Sequence, residues 1–98
     1  METGVKLDDN KPRHTLIDPE FEASLIDVLE FGAKKYAVDN WKKVDNLEER
    51  YINALYRHLN SFRKGEYADP ESGLPHLSHA TACLMFLYWF NHSTTKVT

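Results

Sequence analysis

The sequence predicts an all-α fold, a small three-helix domain that assembles into an oligomeric helical bundle. Apolar residues recur at helical spacing in three segments, and no stretch shows a convincing strand pattern. With 98 residues, the chain forms one domain at most, over 1–98. Because 42% of the residues are hydrophobic and 28% are charged, the composition is that of a folded protein rather than a disordered one.

Helix boundaries are indicated by capping residues. Residues 1–17 are polar and interrupted by a turn cluster, which predicts an ordered arm. Asp18 can cap backbone N–H groups and Pro19 suits a first helical position, so the first helix is predicted over 19–34. Asn46 and Glu49 resemble a capping box, and Gly65 supplies a stop, which predicts the second helix over 46–64. The third is predicted over 75–91.

The third helix is unusual because its second half, ACLMFLYWF, is apolar on nearly all sides. A helix at the surface of a monomer normally keeps a polar face. Two other helices offer limited cover, so the pattern favours a homo-oligomer built on this helix. Cys83 lies inside the apolar run, which predicts a buried thiol in a reducing compartment.

Charge and hydropathy exclude several partners. Twelve Lys and Arg residues against 15 Asp and Glu residues give a formal charge of −3, so no basic field indicates a nucleic acid polymer as partner. No apolar stretch approaches the ~20 residues needed to span a bilayer, and the first residues have no apolar signal core. We therefore expect a cytoplasmic protein with no membrane partner.

A lysine-rich loop after the first helix is one candidate ligand site. Lys34 and Lys35 lead into a segment that carries the aromatic residues Tyr36 and Trp41. Lysines suit phosphate and aromatic rings suit a base, so this segment is typical of a nucleotide-binding loop. The alternative is a solvated loop whose aromatic side chains pack back on the core.

Three histidines form a second candidate site. His76 and His79 share one face at the start of the third helix, and His58 on the second helix could meet them across the bundle. Such a group can bind a metal, contact a phosphate near the positive end of the helix dipole, or simply cap and pack. The predicted metal ligands, should a metal bind, are His58, His76, His79, Asp69 and Glu71.

Two further charged groups have open interpretations. Lys6, Lys11 and Arg13 place three cations in the arm, which could close over a bound phosphate or pair with the acidic first helix. Asp27 and Glu30 lie three apart on that helix and could contribute to a divalent metal site. A solvent-exposed pair of carboxylates is the more frequent arrangement.

Three segments, KLDDNKPRHTLI, FGAKKYAVDNW and RHLNSFRKGEYADPESGLPHLSHATACLMFL, resemble the phage and prophage family of dATP/dGTP diphosphohydrolase N-terminal domains. The likeness covers roughly residues 5–90, with Asp-Pro-Glu-Ser-Gly-Leu-Pro-His at 69–76 as its most distinctive part. It implies an all-α nucleotide-related protein, distantly similar to MazG-like pyrophosphohydrolases. The carboxylate quartet by which those enzymes hold magnesium is missing, since Asp27 and Glu30 supply at most half of it.

The resemblance also implies a set of ligand-contacting positions. Those predicted to bind a phosphorylated ligand are Lys6, Lys11, Arg13, Lys34, Lys35, Tyr36, Asn40, Trp41, Arg57, His58, His76 and His79. The family pattern also touches Asp8, Gly32, Leu59, Gly65, Glu66, Asp69, Glu71, Ser72 and Gly73.

Three functional hypotheses follow. The first is a phage-type protein that captures a phosphorylated nucleotide without turnover, with sequestration of a nucleotide-derived host immune signal as an anti-defence use. The second is a metal-dependent dATP/dGTP pyrophosphohydrolase that uses Mg²⁺ or Mn²⁺. The third is a helical interaction module with no small ligand. The small number of carboxylates favours the first, because magnesium chemistry expects hard oxygen ligands.

Overall fold

The computed structural model describes residues 3–94, so residues 1–2 and 95–98 of the predicted domain lie outside the described part. Its three α-helices are α1 (Pro19–Lys35), α2 (Leu47–Arg63) and α3 (His76–Thr94). Short 3-10 turns occupy His14–Leu16 and Asn40–Lys43. Residues 3–94 contain no β-strand, only an isolated bridge between Ala68 and Pro75. The predicted all-α class with three helices is confirmed.

The helix ends follow local rules. The Asp18 carboxylate accepts the backbone N–H of Phe21 at 2.8 Å, and Pro19 occupies the first helical position of α1. Asn46 precedes α2 in the left-handed region at φ 54°, with no capping bond from its side chain to the backbone. Its amide instead lies 3.4 Å from the carboxylate of Glu49. The capping-box geometry suggested by the sequence is therefore replaced by a contact between the two side chains.

Helix α3 lies centrally, because it packs against both α1 and α2. The core is built from Val28, Ala82 and Phe86, with partly buried apolar neighbours from every helix. Trp41 stacks on Phe86 with ring centroids 4.4 Å apart and meets Trp89 edge-on at 5.1 Å. The loop between α1 and α2 is thus fixed to the core by an aromatic contact.

One face of α3 remains exposed in the single chain. Leu77, Leu84 and Tyr88 are 39%, 54% and 71% exposed, and they recur at the spacing of a single helical stripe. Homo-oligomerisation through this helix stays a prediction. No helix within residues 3–94 combines the length and apolar character needed to cross a membrane.

Candidate functional site

The site is built around the loop between α2 and α3, residues 64–75. Helix α2 ends in a Schellman motif, in which the N–H of Glu66 donates to the Ser61 carbonyl at 3.0 Å and the N–H of Gly65 donates to Phe62 at 2.9 Å. Gly65 has φ +102°, a conformation that L side chains rarely adopt. This cap turns the chain sharply and sets Glu66 at the start of the loop.

Asp69 organises the second half of the loop. Its carboxylate Oδ2 accepts the backbone N–H groups of Glu71 at 3.1 Å and Ser72 at 2.9 Å, an Asx-type turn. Gly73 at φ +74° completes the turn, and its N–H donates to the Asp69 carbonyl at 2.7 Å. The Asp69 N–H then donates to the Leu74 carbonyl at 2.8 Å. The loop is therefore held by its own hydrogen bonds.

Three imidazoles meet beside this loop. The Nδ1 atoms of His58 and His76 are 2.8 Å apart, and the rings of His58 and His79 stack with centroids 4.6 Å apart and an interplanar angle of 6°. His79 Nε2 lies 2.7 Å from the Ser72 hydroxyl. Helices α2 and α3 thus bring together histidines that are 18 to 21 positions apart in the chain.

His76 is the most deeply placed of the three, with 3% exposure. Its Nε2 lies 2.7 Å from the Glu66 carboxylate, which can only accept when ionised, so Nε2 carries the hydrogen. Its backbone N–H donates to the Tyr67 carbonyl at 2.9 Å. Both the ring and the backbone of His76 are consequently fixed by the loop before it.

The environment controls the charge of two imidazoles. Burial, followed by the positive charges that His79 and His76 would carry, lowers the pKa of His58 to about 4. Burial also lowers the pKa of His79, against the opposing effect of Asp69. Both rings are therefore neutral at pH 7, with a nitrogen lone pair each.

Asp69 is ionised under the same conditions. Burial acts to raise its pKa, but hydrogen bonds from the backbone and side chain of Ser72, with the nearby histidines, hold the pKa below its ordinary value. The site accordingly presents one negatively charged carboxylate beside neutral imidazoles, and both kinds of group offer lone pairs that a cation can bind.

Two pockets meet at His58 and His79. A polar pocket of about 410 Å³ has walls that include Arg57, Glu66, Asp69, Glu71 and His76. An apolar pocket of about 350 Å³ lies between α1, α2 and α3, with Tyr36, Trp41 and Phe86 in its wall. His58 and His79 line both pockets, so the two pockets adjoin at these side chains.

The donor atoms in the polar pocket fit a metal ion. Nitrogen or oxygen atoms of His58, Asp69 and His76 all lie within 4.8 Å of one another. Imidazole and carboxylate together are typical ligands of first-row divalent metals, whereas Mg²⁺ favours oxygen ligands. The chemistry of the residues present is therefore compatible with a divalent cation, and it suits Mn²⁺ better than Mg²⁺.

Comparison with known proteins places the chain in a family. The sequence model described as "dATP/dGTP diphosphohydrolase, N-terminal" matches residues 1–98. The chain belongs to this family. It is also 39% identical over 87 residues to a protein named dATP/dGTP diphosphohydrolase from Salmonella phage PMBT28, covering 89% of this chain and 29% of that protein. The chain thus spans under a third of that relative's length, and no solved structure matches it.

Several of the predicted ligand residues come together in the two pockets. Arg57, His58, His76 and His79 line the polar pocket. The predicted positions in the apolar pocket are Lys35, Tyr36, Asn40 and Trp41. Lys35 also bridges to the loop, because its ammonium lies 2.6 Å from the Glu71 carboxylate. The Trp41 ring, however, packs against Phe86 in the core. For this residue the structure agrees with the alternative in which aromatic side chains of the loop pack back on the core.

Other predicted positions of the domain lie elsewhere. Lys6, Lys11 and Arg13 are exposed in the arm, and neither of the two adjoining pockets includes them among its described lining residues. Lys34 is exposed at the end of α1, and Asp27 is exposed on that helix. Of the predicted metal ligands, His79 and Glu71 are engaged by Ser72 and Lys35. Ligand binding by these residues stays a prediction.

Two partners in the domain had no assigned role in the sequence analysis. Glu66 bonds the His76 ring and Ser72 bonds the His79 ring. The family pattern includes both positions without giving them a role, and Gly65 adds a local signal, since a glycine-capped helix end fixes the direction of the next residue, Glu66. Cys83, by contrast, matches its predicted burial at 5% exposure, and burial raises the pKa of its thiol to about 11.

Proposed function

We propose that this domain binds a purine deoxynucleoside triphosphate, with the base in the apolar pocket and the phosphates in the polar pocket. The observation that carries the proposal is the common wall of His58 and His79 between the two pockets. The name of the Salmonella phage relative, dATP/dGTP diphosphohydrolase, supports the choice of nucleotide.

The base would meet Tyr36, whose ring is 64% exposed at the mouth of the apolar pocket. The Lys35 ammonium lies over one face of this ring, 5.3 Å from its centroid, so the opposite face is the one proposed to stack on the base. Trp41 already stacks on Phe86. Base stacking on an aromatic side chain contributes roughly 1–3 kcal/mol. Asn40 also lines this pocket and offers a side-chain amide that can both donate to and accept from the edge of a purine.

The phosphates would meet a pocket with more negative than positive charge. Glu66, Asp69 and Glu71 line it, and Arg57 is its cationic lining residue, with Lys35 engaged on Glu71. A triphosphate entering alone would face net repulsion. A divalent cation held by His58, Asp69 and His76 would supply the missing positive charge. Arg57 can then pair with phosphate oxygens directly.

Binding is tested by isothermal titration with dATP, dGTP, dCTP and dTTP, each with and without Mn²⁺. We expect the purine nucleotides to bind and Tyr36→Ala to weaken that binding by about tenfold. The matched control is Tyr56→Ala, because Tyr56 is also exposed, at 60%, and lies on α2 outside the described linings of both pockets. The absence of binding by all four nucleotides would overturn the proposal, as would equal affinity in Tyr36→Ala and the wild type.

The phosphate contact has its own pair of variants. Arg57→Gln should weaken nucleotide binding and reduce its salt dependence, because the guanidinium lines the polar pocket. Arg63→Gln on the same helix is the control, since Arg63 bonds Asn60 outside the pocket. An equal effect of the two substitutions would argue against phosphates in this pocket.

Hydrolysis is a second candidate, favoured by the metal-compatible group of His58, Asp69 and His76. In such a reaction a water oxygen bonds to phosphorus, the anhydride P–O bond breaks, and the water proton leaves with the products. Incubation with dATP or dGTP and Mn²⁺, followed by chromatography of the nucleotides, separates the outcomes. Product formation that His76→Ala abolishes supports turnover. Unchanged nucleotide recovered after heat denaturation supports capture, and the same assay with cyclic or ADP-ribose-type nucleotides tests the predicted sequestration of an immune signal.

We also infer a homo-oligomer, on the basis of the exposed α3 stripe of Leu77, Leu84 and Tyr88. Phe86→Glu would not test it, because Phe86 is buried within the single chain. Leu84→Glu is sharper, since this side chain is 54% exposed and its replacement leaves the core intact. We expect Leu84→Glu to shift the mass by light scattering toward the monomer. Retention of the wild-type mass would contradict an interface at this stripe, as would a monomeric wild type.

A further inference from the structure

The group of His58, Asp69 and His76 draws one donor each from α2, from the loop and from the start of α3. We propose that these three side chains bind one divalent transition-metal ion, and that Glu66 orients His76 for this role. The proposal concerns the metal alone and does not depend on nucleotide binding.

The tautomers of His76 and His58 support this metal site. Since Glu66 accepts the hydrogen on His76 Nε2 at 2.7 Å, a neutral His76 has its lone pair on Nδ1. That atom lies 2.8 Å from Nδ1 of His58, where a hydrogen on His58 bridges the two rings in the metal-free protein. Binding of a cation moves this hydrogen to Nε2 of the same neutral ring, so both Nδ1 lone pairs can face the ion. A carboxylate behind a metal-binding histidine is a recurrent arrangement.

The ligands are held in place before any ion binds. Backbone N–H groups fix the Asp69 carboxylate at 2.9 and 3.1 Å, and the ion pair of Lys35 with Glu71 at 2.6 Å ties the same loop to α1. Metal–ligand bonds of about 2.0–2.2 Å allow donors up to about 4.4 Å apart. The ligand atoms of His58, Asp69 and His76 all lie within 4.8 Å of one another, so local movement of these side chains suffices for them to close around one ion.

The donor set also indicates the class of metal. Two imidazoles and one carboxylate suit Mn²⁺, Fe²⁺, Co²⁺ or Zn²⁺, whereas Mg²⁺ favours oxygen ligands. Three protein ligands leave positions open for water or for ligand oxygens, as in catalytic rather than structural sites. Glu66 and Glu71 add negative charge around the ion, so a cation is favoured at this position.

The first experiment uses the native protein without nucleotide. Chelator-treated protein is titrated with Zn²⁺, Mn²⁺, Co²⁺ and Mg²⁺ by calorimetry, and the ring ¹⁵N signals are followed by NMR with Zn²⁺. We expect one equivalent of transition metal to bind at least tenfold more tightly than Mg²⁺. The signals of His58 and His76 should shift, while those of His14 and His92 stay unchanged. Failure of all transition metals to bind, or equal shifts of all histidines, would overturn the proposal.

The second experiment uses variants whose helical circular dichroism is verified. His58→Gln, His76→Gln and Asp69→Asn should each weaken Zn²⁺ binding by about 100-fold or more, whereas His92→Gln, in the same helix as His76, should bind as the wild type does. Glu66→Gln should keep one equivalent but bind ~10- to 100-fold more weakly, with a changed tautomer ratio at His76. Wild-type affinity in the three ligand variants would contradict the assignment, and an unchanged His76 tautomer would contradict the role of Glu66.

These results separate the metal site from the nucleotide site. Zn²⁺ binding without binding of any deoxynucleotide supports the metal proposal and rejects the proposed function. Nucleotide binding that is unaffected by chelation, in a protein that takes up no transition metal, rejects the metal proposal and leaves the function standing.

Discussion

Two polar segments of this chain, the arm (residues 3–17) and the α2–α3 loop (residues 64–75), differ sharply in how they are held. Every residue of the arm is exposed, and its backbone hydrogen bonds join near neighbours, such as the Lys11 N–H to the Asp8 carbonyl at 3.1 Å. The loop is bonded to all three helices, through Lys35 of α1, Ser61 of α2 and His79 of α3. Similar polarity in sequence thus leads to different degrees of fixation.

The difference shows what turns polar residues into a site. The arm carries more cations, yet a cation on an exposed segment loses conformational entropy when it contacts a ligand. The loop has already lost that entropy on folding, because Asp69, Gly65 and Gly73 fix its course. A pre-ordered group binds with less cost than a mobile one. Paired substitutions in the two segments can therefore measure what each contributes.

The largest difference is expected between Asp69→Ala and Asp8→Ala. Asp69→Ala removes the acceptor of two backbone N–H groups, which should lower the free energy of unfolding by about 1–3 kcal/mol. Asp8 is exposed, and its backbone carbonyl rather than its side chain accepts the Lys11 N–H, so Asp8→Ala should change stability by under ~0.5 kcal/mol. Urea unfolding with chelator present measures both. Equal stabilities would mean that the loop is no better held than the arm.

A smaller difference is expected between Gly73→Ala and Gly4→Ala. An added Cβ meets no atom within 4 Å at either position, so crowding is excluded at both. Gly73 has φ +74°, where an L residue costs about 1 kcal/mol, whereas Gly4 does not have a positive φ. Thermal melts should show a lower melting temperature for Gly73→Ala alone. A loop that tolerates alanine at 73 without loss would contradict the turn around Asp69.

Much of the fold was accessible from sequence because its signals are local. Asp18 and Pro19 begin α1 and Gly65 ends α2 as their chemistry requires, and the all-α class follows from such signals. Asn46 is the exception among these capping residues. Its backbone is in the left-handed region, and its side chain contacts Glu49 instead of the backbone N–H groups of the helix. Capping residues therefore locate an end better than they specify its hydrogen bonds.

The candidate site was accessible only in part, because its contacts span distant positions. The meeting of His58 with His76 and His79 could be anticipated from helix faces, yet the bond of Glu66 to His76 could not, since an exposed glutamate in a loop has no periodic signal. Trp41 was a candidate for base stacking, but Phe86, 45 positions away, occupies one face of its ring. The residues next to Glu66 and Trp41 in the sequence therefore do not indicate these two contacts.

Substitutions in the ion pair that links the loop to α1 should have a still smaller effect on stability. Lys35 and Glu71 form an exposed ion pair at 2.6 Å, with 39% and 61% of the side chains exposed. We expect Lys35→Met and Glu71→Gln each to lower stability by less than Gly73→Ala does, with a coupling in the double mutant that disappears in 1 M salt. Lys11→Met in the arm is the control. A coupling that survives high salt would contradict a solvent-screened pair.

The smallest effect is expected from removing the arm's cations together, as Lys6→Ala, Lys11→Ala and Arg13→Ala in one variant. Because these side chains are exposed and are not among the described lining residues of the two pockets, stability should change by under ~0.5 kcal/mol. Purine nucleotide affinity, measured by calorimetry at two salt concentrations, should fall by less than about threefold. A loss of tenfold or more, with a shallower salt dependence, would instead support the sequence-based prediction that the arm closes over the phosphates. Such a result would also mean that the arm becomes ordered when ligand binds, whereas the loop is already ordered by folding.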